Sequence, residues 1–374
     1  MVRGYGVSLV ADEWAKRLCN LGWDTTIACL RSDETYAGDN LVHVGADATE
    51  ILTLCKQLDI DLVMAQTSPY FEILPAIAMQ FPTIAFEHGD PTPFFFKHDR
   101  QERESIKHNK IQHVYPNVSR VLASSHFLRH DIQWTTSSVV PLGCDHVGDF
   151  GQKEFSSVSH LLPLQIGTLM RLGEGESLYK GVEIYADLAS SLKNDPNFVF
   201  HIMGRGQDTD RASWESIGVK TFLNADDEER SKYLRDLDVL ISPSLWEGFN
   251  LPVVEAAASG TVGVAFDIGA HPETTPFLVR DPIDLRELLQ AWANDRALLS
   301  KASHDAYLFA RKKFNWEESS QLLSEHLSEV LGLYKRRRRY LDFFLLRVLR
   351  ALAREGIRGF TRLAITKVRQ NLRR

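Results

Sequence analysis

Short apolar segments, rich in β-branched residues, alternate with stretches of helical length along most of this chain. Each apolar segment is four to six residues long, which is the length of a buried strand, and the stretches between them carry apolar residues at helical spacing. Regular strand–helix alternation predicts parallel sheets covered by helices on both faces. The predicted strands are Thr25–Leu30, Leu62–Gln66, Pro82–Glu87, Arg120–Ala123, Ser138–Leu142, Leu164–Leu169, Phe198–Met203, Val219–Leu223, Val239–Ser242 and Thr261–Ala265.

The ten predicted strands fall into two sets of five, separated by an irregular segment over Cys144–His160 that is rich in Gly, Ser and charge. With 374 residues, two domains of ordinary size are expected. We therefore predict two doubly wound, Rossmann-like α/β domains with the active site in the cleft between them. The predicted boundaries are 1–150 for the first domain, 161–316 for the second, 317–334 for a helix that crosses back to the first, and 335–374 for a basic tail.

The start of the chain does not fit a doubly wound domain. A helix is predicted over Val7–Leu21, directly after Gly4-Tyr5-Gly6. In such a domain a strand normally leads into a glycine loop of this kind. We expect this first strand to be encoded upstream of Met1. If it is not, another element fills its place or the first domain is loosely packed.

Composition excludes several classes of protein. The hydrophobic fraction of 44% and the charged fraction of 25% are typical of a globular protein. The four cysteines form no CxxC pair, so a structural metal site is not expected. No apolar run reaches the length needed to span a bilayer. We expect a cytoplasmic protein.

The charge is distributed unevenly. Residues 335–374 carry 14 Lys and Arg against two acids, whereas the preceding 334 residues carry a net charge of −18. An acidic body argues against a nucleic-acid enzyme. Within the tail, Arg350, Arg354, Arg358 and Arg362 recur every fourth residue beside a dense apolar face. This pattern predicts a helix on the anionic inner face of the membrane. Packing of the tail against the acidic body is the alternative, and RNA binding is less favoured.

The most informative segment runs from Ser242 to Glu255. A predicted strand leads into a loop with glycine, and proline at position 252 suits the first turn of the following helix. Backbone N–H groups at such a helix start bind anions. Glu247 and Glu255 lie on either side of this turn and could bind two separate polyols. Equally, one glutamate could be solvated and the other could cap the helix.

Two further segments follow predicted strands. Arg171 comes after the strand Leu164–Leu169, and Lys180 precedes a helix predicted over Val182–Leu192. Two cations at the carboxyl end of a strand suit a diphosphate, although solvated charges in a loop are the simpler interpretation. His88, in Phe86-Glu-His-Gly-Asp-Pro91, stands where open α/β sheets bind ligands.

Taken in order, these segments resemble the retaining glycosyltransferases of family 4, which have the GT-B fold. The likeness extends from Gly4 to about Val330 and is most specific between Glu247 and Glu255. More residues separate Arg171 from Lys180 than in the members of that family with the shortest spacing between these two cations.

The resemblance implies a site for a nucleotide-diphosphate sugar, with no metal and no separate cofactor. Arg171 and Lys180 would bind the donor diphosphate. The amides of Phe249, Asn250 and Leu251 would hold the β-phosphate.

The remaining site residues would bind the sugars. Glu247 would hold the donor sugar and Glu255 the ribose hydroxyls. His88 would lie across the cleft near the donor sugar and acceptor, and Gly6 would let the backbone of the first domain approach the phosphates. The acceptor is expected to be a lipid-linked or cell-envelope glycan.

Two other functions fit the same fold. A sugar-nucleotide 2-epimerase shares both domains, but the Glu247–Glu255 segment favours transfer. A non-catalytic relative that docks on glycans or lipids would not need Arg171, Lys180 and both glutamates together. The segment around Thr92–His113, where an acceptor would bind, has no interpretable pattern.

Overall fold

The computed structural model describes residues 1–337, except for 3–4, 34–35, 37–39, 97, 149–150, 152, 154–161 and 173–176. By internal contacts the chain divides into one compact unit over Met1–Ser324 and a second over Glu325–Arg374. Most of the predicted amphipathic tail, and much of the predicted linker, lie outside the described residues. Among the residues that are described, no helix has both the length and the apolar character required to cross a membrane.

The first half of the larger unit contains two separate parallel sheets. Strands β1 and β2 form a pair, and β3 to β6 form a four-stranded sheet in chain order. Their bounds are β1 Ile27–Cys29, β2 Leu41–His43, β3 Val63–Ala65, β4 Thr83–Glu87, β5 Arg120–Ala123 and β6 Ser138–Val139.

The second half forms one six-stranded parallel sheet in the order β12-β11-β10-β7-β8-β9. The order reverses at β7, next to β10, and such a reversal is where doubly wound sheets bind their ligands. The bounds are β7 Leu164–Leu169, β8 Phe198–Gly204, β9 Lys220–Leu223, β10 Val239–Ser242, β11 Val262–Phe266 and β12 Phe277–Val279.

Helices occupy most of the connections. Their bounds are α1 Gly6–Asn20, α2 Ala48–Gln57, α3 Tyr70–Ile77, α4 Arg100–Asn109, α5 His126–Asp131, α6 Ser177–Lys180, α7 Val182–Leu192, α8 Asp208–Ser216, α9 Asp227–Asp236, α10 Leu251–Ala258, α11 His271–Thr274, α12 Pro282–Asn294 and α13 Arg296–Lys313. A last helix covers residues 316–337. The prediction of doubly wound, Rossmann-like α/β architecture is confirmed.

All ten predicted strands are present, and three of them (β5, β7 and β10) have the predicted bounds. Two strands, β2 and β12, were not predicted. Each has only three residues, which is too short for a period of two to stand out from its surroundings. Both lie at the edge of their sheets.

Each half has its own hydrophobic core. The core of the second half includes Ile166, Tyr185 and Val264, and that of the first includes Phe71 and Leu128. The first-half core also contains Trp246, which belongs to the loop after β10 in the second half. Burial of this indole therefore ties the loop after β10 to the first half.

The start of the last helix returns to the first half. The Trp14 indole N–H in α1 donates to Ser319 Oγ (3.1 Å), and that of Trp23 donates to Ser324 Oγ (2.8 Å). The rings of Trp14 and Trp316 meet edge to face, with 6.1 Å between centroids. Helix α1 is thus anchored by the C-terminal part of the larger unit.

Candidate active site

Glu247 lies in the loop between β10 and α10, and its carboxylate is paired. Oε1 accepts hydrogen bonds from Lys180 Nζ (2.7 Å) and Ser244 Oγ (2.8 Å), and the residue is 8% exposed. Lys180 ends α6, and Gly181 after it adopts a left-handed conformation with φ of 67°. A Cβ at that position would lie 2.0 Å from the Pro243 carbonyl oxygen. Only glycine lets the Lys180 turn approach the Glu247 loop this closely.

A buried network fixes Asn250, one of the three residues whose backbone amides are predicted to bind phosphate. Asn250 immediately precedes α10 and has φ of 66°, which is unusual for a residue other than glycine. Its side-chain amide donates to Ser242 Oγ (2.6 Å) and to His271 Nε2 (2.7 Å). His271 Nδ1 in turn donates to the Phe266 carbonyl (2.7 Å). The start of α10 is therefore held rigidly against β10 and β11.

Glu255 lies inside α10 and is completely buried. Its Oε1 accepts from His146 Nε2 (2.8 Å) and its Oε2 accepts from the Arg230 guanidinium. Burial alone would raise the pKa of Glu255, but the Arg230 charge and the His146 hydrogen bond outweigh burial and lower the pKa to about 2. This carboxylate is thus ionised and fully paired.

The His146 ring connects Glu255 to the end of the larger unit. Its Nδ1 accepts from the Trp316 indole N–H (2.9 Å), which leaves the proton of the neutral ring on Nε2, facing Glu255. Asp145 next to it accepts from the Trp316 backbone N–H (2.7 Å). Glu255 is therefore linked through the His146 ring to the segment that returns to the first half.

Arg171 follows β7 and stacks on an aromatic ring of the first half. Its guanidinium carbon lies 4.6 Å from the centre of the Tyr5 ring, and that of Arg205 lies 5.6 Å from the same centre. Gly6 begins α1 directly after Tyr5, and a Cβ there would meet nothing within 4 Å. Tyr5 thus contacts two guanidinium groups of the second half and is followed by open space at Gly6.

His88 follows β4 and faces the Glu247 loop. A Cβ on Gly248 would lie 2.5 Å from the His88 carbonyl oxygen, and one on Gly89 would lie 2.5 Å from the Trp246 ring. Burial, with a smaller effect of the Lys110 charge, lowers the pKa of His88 to about 3, so the ring is neutral. Its Nε2 lies 3.0 Å from Gln66 Oε1.

A buried lysine, Lys110, stabilises the turn that contains His88. Lys110 Nζ lies 3.1 Å from Glu87 Oε1 and 2.6 Å from Asp90 Oδ2. Tyr115 Oη also donates to Glu87 Oε1 (2.8 Å). Because Glu87 and Asp90 stand on either side of His88 in the chain, one ammonium group fixes both ends of the turn.

The segment around Thr92–His113 lines an open cavity of about 390 Å³. Phe94 and Ile111 supply apolar surface, and Lys107 and His108 supply polar nitrogen atoms. No sequence pattern predicted this cavity because helix α4 has no buried residue and hence no apolar stripe.

Two family models match the chain. The model described as Glycosyltransferase Family 4 matches residues 4–146, and the one described as Glycosyl transferases group 1 matches residues 166–295. Together they cover both halves of the larger unit. The chain belongs to the group 1 glycosyltransferases.

Curated relatives of this glycosyltransferase are distant. D-inositol 3-phosphate glycosyltransferase of Streptomyces avermitilis is 25% identical over 195 residues, which are 47% of this chain and 41% of that protein. The chain therefore matches less than half the length of that relative.

Solved structures share the GT-B fold. Sucrose-phosphate synthase from Thermosynechococcus elongatus has a TM-score of 0.72 at 15% identity, over 88% of this chain and 94% of that one. Anabaena HepE, solved with UDP and glucose, has a TM-score of 0.70 at 16% identity, over 87% and 96%.

Several residues that shape the site of this glycosyltransferase were not predicted from the sequence. Arg230 and His146 hold Glu255, His271 holds Asn250, and Lys110 holds the His88 turn. The available signal was chemical: Glu87 ends an otherwise apolar strand and so requires a buried partner. Which cation supplies it depends on the tertiary fold.

Proposed function

We propose that this glycosyltransferase moves a sugar from a nucleotide-diphosphate sugar to an acceptor hydroxyl, with retention of the anomeric configuration and without a metal. The observation that carries the proposal is the Lys180–Glu247 pair, 2.7 Å apart, on a loop packed against the His88 backbone. Such a pair offers a cation to a phosphate and a carboxylate to sugar hydroxyls at one point of a cleft between the two halves.

The second domain, over 161–316, would bind the donor in this proposal, and the first, over 1–150, would bind the acceptor. Arg171 and Lys180 bind the diphosphate, together with the amides that begin α10. Glu247 holds the donor sugar. Glu255 binds the ribose hydroxyls after exchanging at least one of its present partners.

The transfer step breaks one bond and forms another at the anomeric carbon. The acceptor hydroxyl oxygen bonds to that carbon as the bond to the phosphate oxygen breaks, on the same face of the sugar. The hydroxyl proton passes to the departing diphosphate. Lys180 and Arg171 stabilise the negative charge that grows there, which electrostatic catalysis requires. His88, being neutral, contributes hydrogen bonding beside the sugar rather than charge.

A nucleotide-sugar panel tests the donor assignment. A bound donor must raise the melting temperature by mass action, and UDP-, GDP- and ADP-sugars at millimolar concentration cover the common bases. We expect one base to stabilise the protein and the matching donor to release nucleoside diphosphate slowly in water. If no donor shifts the melting temperature and none is hydrolysed, the proposal is wrong.

We further propose that the acceptor is a lipid-linked or cell-envelope glycan and that the protein acts on the cytoplasmic face of a membrane. The supporting feature is the charge of residues 335–374, which combine a net charge of +12 with apolar residues. Each cation close to an anionic surface contributes about 1 kcal/mol to binding.

A further inference from the structure

Tyr179 lies where the two halves and the Lys180–Glu247 pair meet. Its ring centre is 6.4 Å from that of Phe95 and 5.9 Å from that of Phe96, both in the first half. Lys180 Nζ lies 5.0 Å from the same ring centre. One aromatic ring therefore joins the first half to the cation that is proposed to bind the donor phosphate.

Three large apolar side chains around Tyr179 are exposed. Phe94 is 72% exposed, Leu178 is 47% exposed and Leu245 is 40% exposed. The Phe94 and Phe95 ring centres lie 6.2 Å apart, and the Leu245 backbone N–H donates to the Tyr179 carbonyl (2.7 Å). We call these three residues the rim patch. Exposed apolar side chains grouped together, unlike isolated ones, mark binding surfaces.

The chain order explains why the patch borders the reaction centre. Leu178 stands two residues before Lys180, and Leu245 stands two residues before Glu247. Leu178 and Leu245 therefore belong to the two segments that form the charged pair, and the Leu245 backbone N–H joins these segments at Tyr179. The patch includes residues from both halves and borders the charged pair.

We infer that the rim patch binds the apolar part of an amphipathic acceptor, whose hydroxyl reaches the Lys180–Glu247 pair. This inference rests on the proposed function. A nucleotide sugar offers no aliphatic chain, so the donor has nothing to bury on Phe94, Leu178 and Leu245. The acceptor must approach from the opening of the cleft, and its remaining atoms then lie over this rim.

Two acceptors that differ only in an alkyl chain test the inference. With the donor identified by the panel, transfer is measured to a methyl glycoside and to the octyl glycoside of the same sugar. We expect wild-type kcat/KM to be at least tenfold higher for the octyl compound, because burial of each methylene is favourable. Phe94→Ser and Leu245→Ser should each reduce this preference to threefold or less.

Met79→Ser is the matched control. Met79 is 84% exposed, follows α3 and is remote in the chain from the rim patch, so its replacement should leave the tenfold preference unchanged. Donor hydrolysis without acceptor reports separately on each variant's donor site. Should Leu245→Ser disturb the nearby Glu247, Phe94→Ser in the first half still decides the question.

Several results would overturn the inference. An equal rate with methyl and octyl acceptors would do so, as would an unchanged preference in both variants.

If the variants keep the preference but lose binding to phosphatidylglycerol vesicles, the patch docks on the bilayer instead. If they keep it but change molar mass by light scattering, the patch contacts a second copy. Absence of both a donor-induced shift in melting temperature and donor hydrolysis in the wild-type protein contradicts the proposed function itself, whereas donor binding or hydrolysis without an octyl preference contradicts only this inference.

Discussion

Lys180 and Glu247 form an ion pair across 2.7 Å, although they are 67 residues apart in the chain and belong to different βα connections. The sequence presented them as two separate candidates, a cation for phosphate and a carboxylate for sugar. The structure shows that each is the other's partner. A donor bound as proposed has to replace that contact with two new ones.

Lys180→Ala should therefore weaken donor affinity or turnover at least tenfold, equivalent to about 1.4 kcal/mol. Donor affinity or turnover should fall because the variant loses the proposed contact between Lys180 and the donor diphosphate. Donor titration by calorimetry and initial rates of nucleoside diphosphate release would measure it. Lys193→Ala removes an exposed lysine whose Nζ donates to the Ser216 carbonyl (3.0 Å), and it should behave as wild type. Wild-type kinetics for Lys180→Ala would remove this residue from the site.

Glu255→Gln should change how stability depends on pH. The pKa of Glu255 in the folded protein is about 2, below its ordinary value of 4.5. As pH falls, the unfolded chain therefore takes up a proton first, and the contribution of Glu255 to stability declines between about pH 4.5 and 2. Above that range the contribution is fully present.

Urea unfolding of wild type and Glu255→Gln at several pH values measures this effect. The difference in unfolding free energy should be on the order of 3 kcal/mol at pH 6, because Arg230 then lacks its buried partner, and should shrink at pH 3. A difference that does not change with pH would mean that another group controls the acid sensitivity. The variant should also bind donor at least tenfold more weakly.

Gly248→Ala should reduce turnover at least tenfold. Its Cβ would lie 2.5 Å from the His88 carbonyl oxygen, and neither backbone can yield without moving the Glu247 loop or the His88 turn. Gly332→Ala is the control, since the nearest atom to its Cβ would be the flexible Arg336 side chain at 3.9 Å. Circular dichroism would show whether both variants fold. Full activity of a folded Gly248→Ala protein would mean that this close contact is not needed for transfer.

Deletion of residues 335–374 should abolish binding to anionic liposomes while donor hydrolysis continues. Liposome co-sedimentation at increasing salt measures the first effect, and binding of the full-length protein should weaken as ionic strength rises. Equal partitioning of the two proteins would end the membrane interpretation. It would leave packing on the acidic body as the role of the basic residues.

The sequence predicted the sheets well because buried parallel strands are largely apolar runs, as in Val239–Ser242. It also singled out Lys180, Glu247 and His88 as candidate site residues, since each follows a strand or precedes a helix. It did not identify Arg230, which pairs with Glu255, or Lys110, which holds the His88 turn. Arg230 lies on a largely exposed helix, and nothing in its local sequence distinguishes it from its neighbours.

Asn250 has a backbone conformation that the local sequence does not predict, although its position in the fold was predicted. The sequence predicted that the Asn250 backbone N–H lies at a helix start, and the structure agrees. No sequence pattern indicated that Asn250 would have a φ of 66°. That conformation depends on His271, which is 21 residues away and reaches Asn250 only after β11 is in place. Local pattern located the turn, and tertiary hydrogen bonds determine its shape.

The pairing of both glutamates with cations has a consequence for selectivity. Lys180 balances Glu247, and Arg230 balances Glu255, so little uncompensated charge remains at either point. A simple anion such as inorganic phosphate must compete with a carboxylate already in place and gains little by binding. A molecule that carries a diphosphate together with hydroxyl groups can satisfy the cations and the carboxylates at once. If the donor binds as proposed, these ion pairs discriminate against the abundant small anions of a cell before any contact with a base or a particular sugar is made.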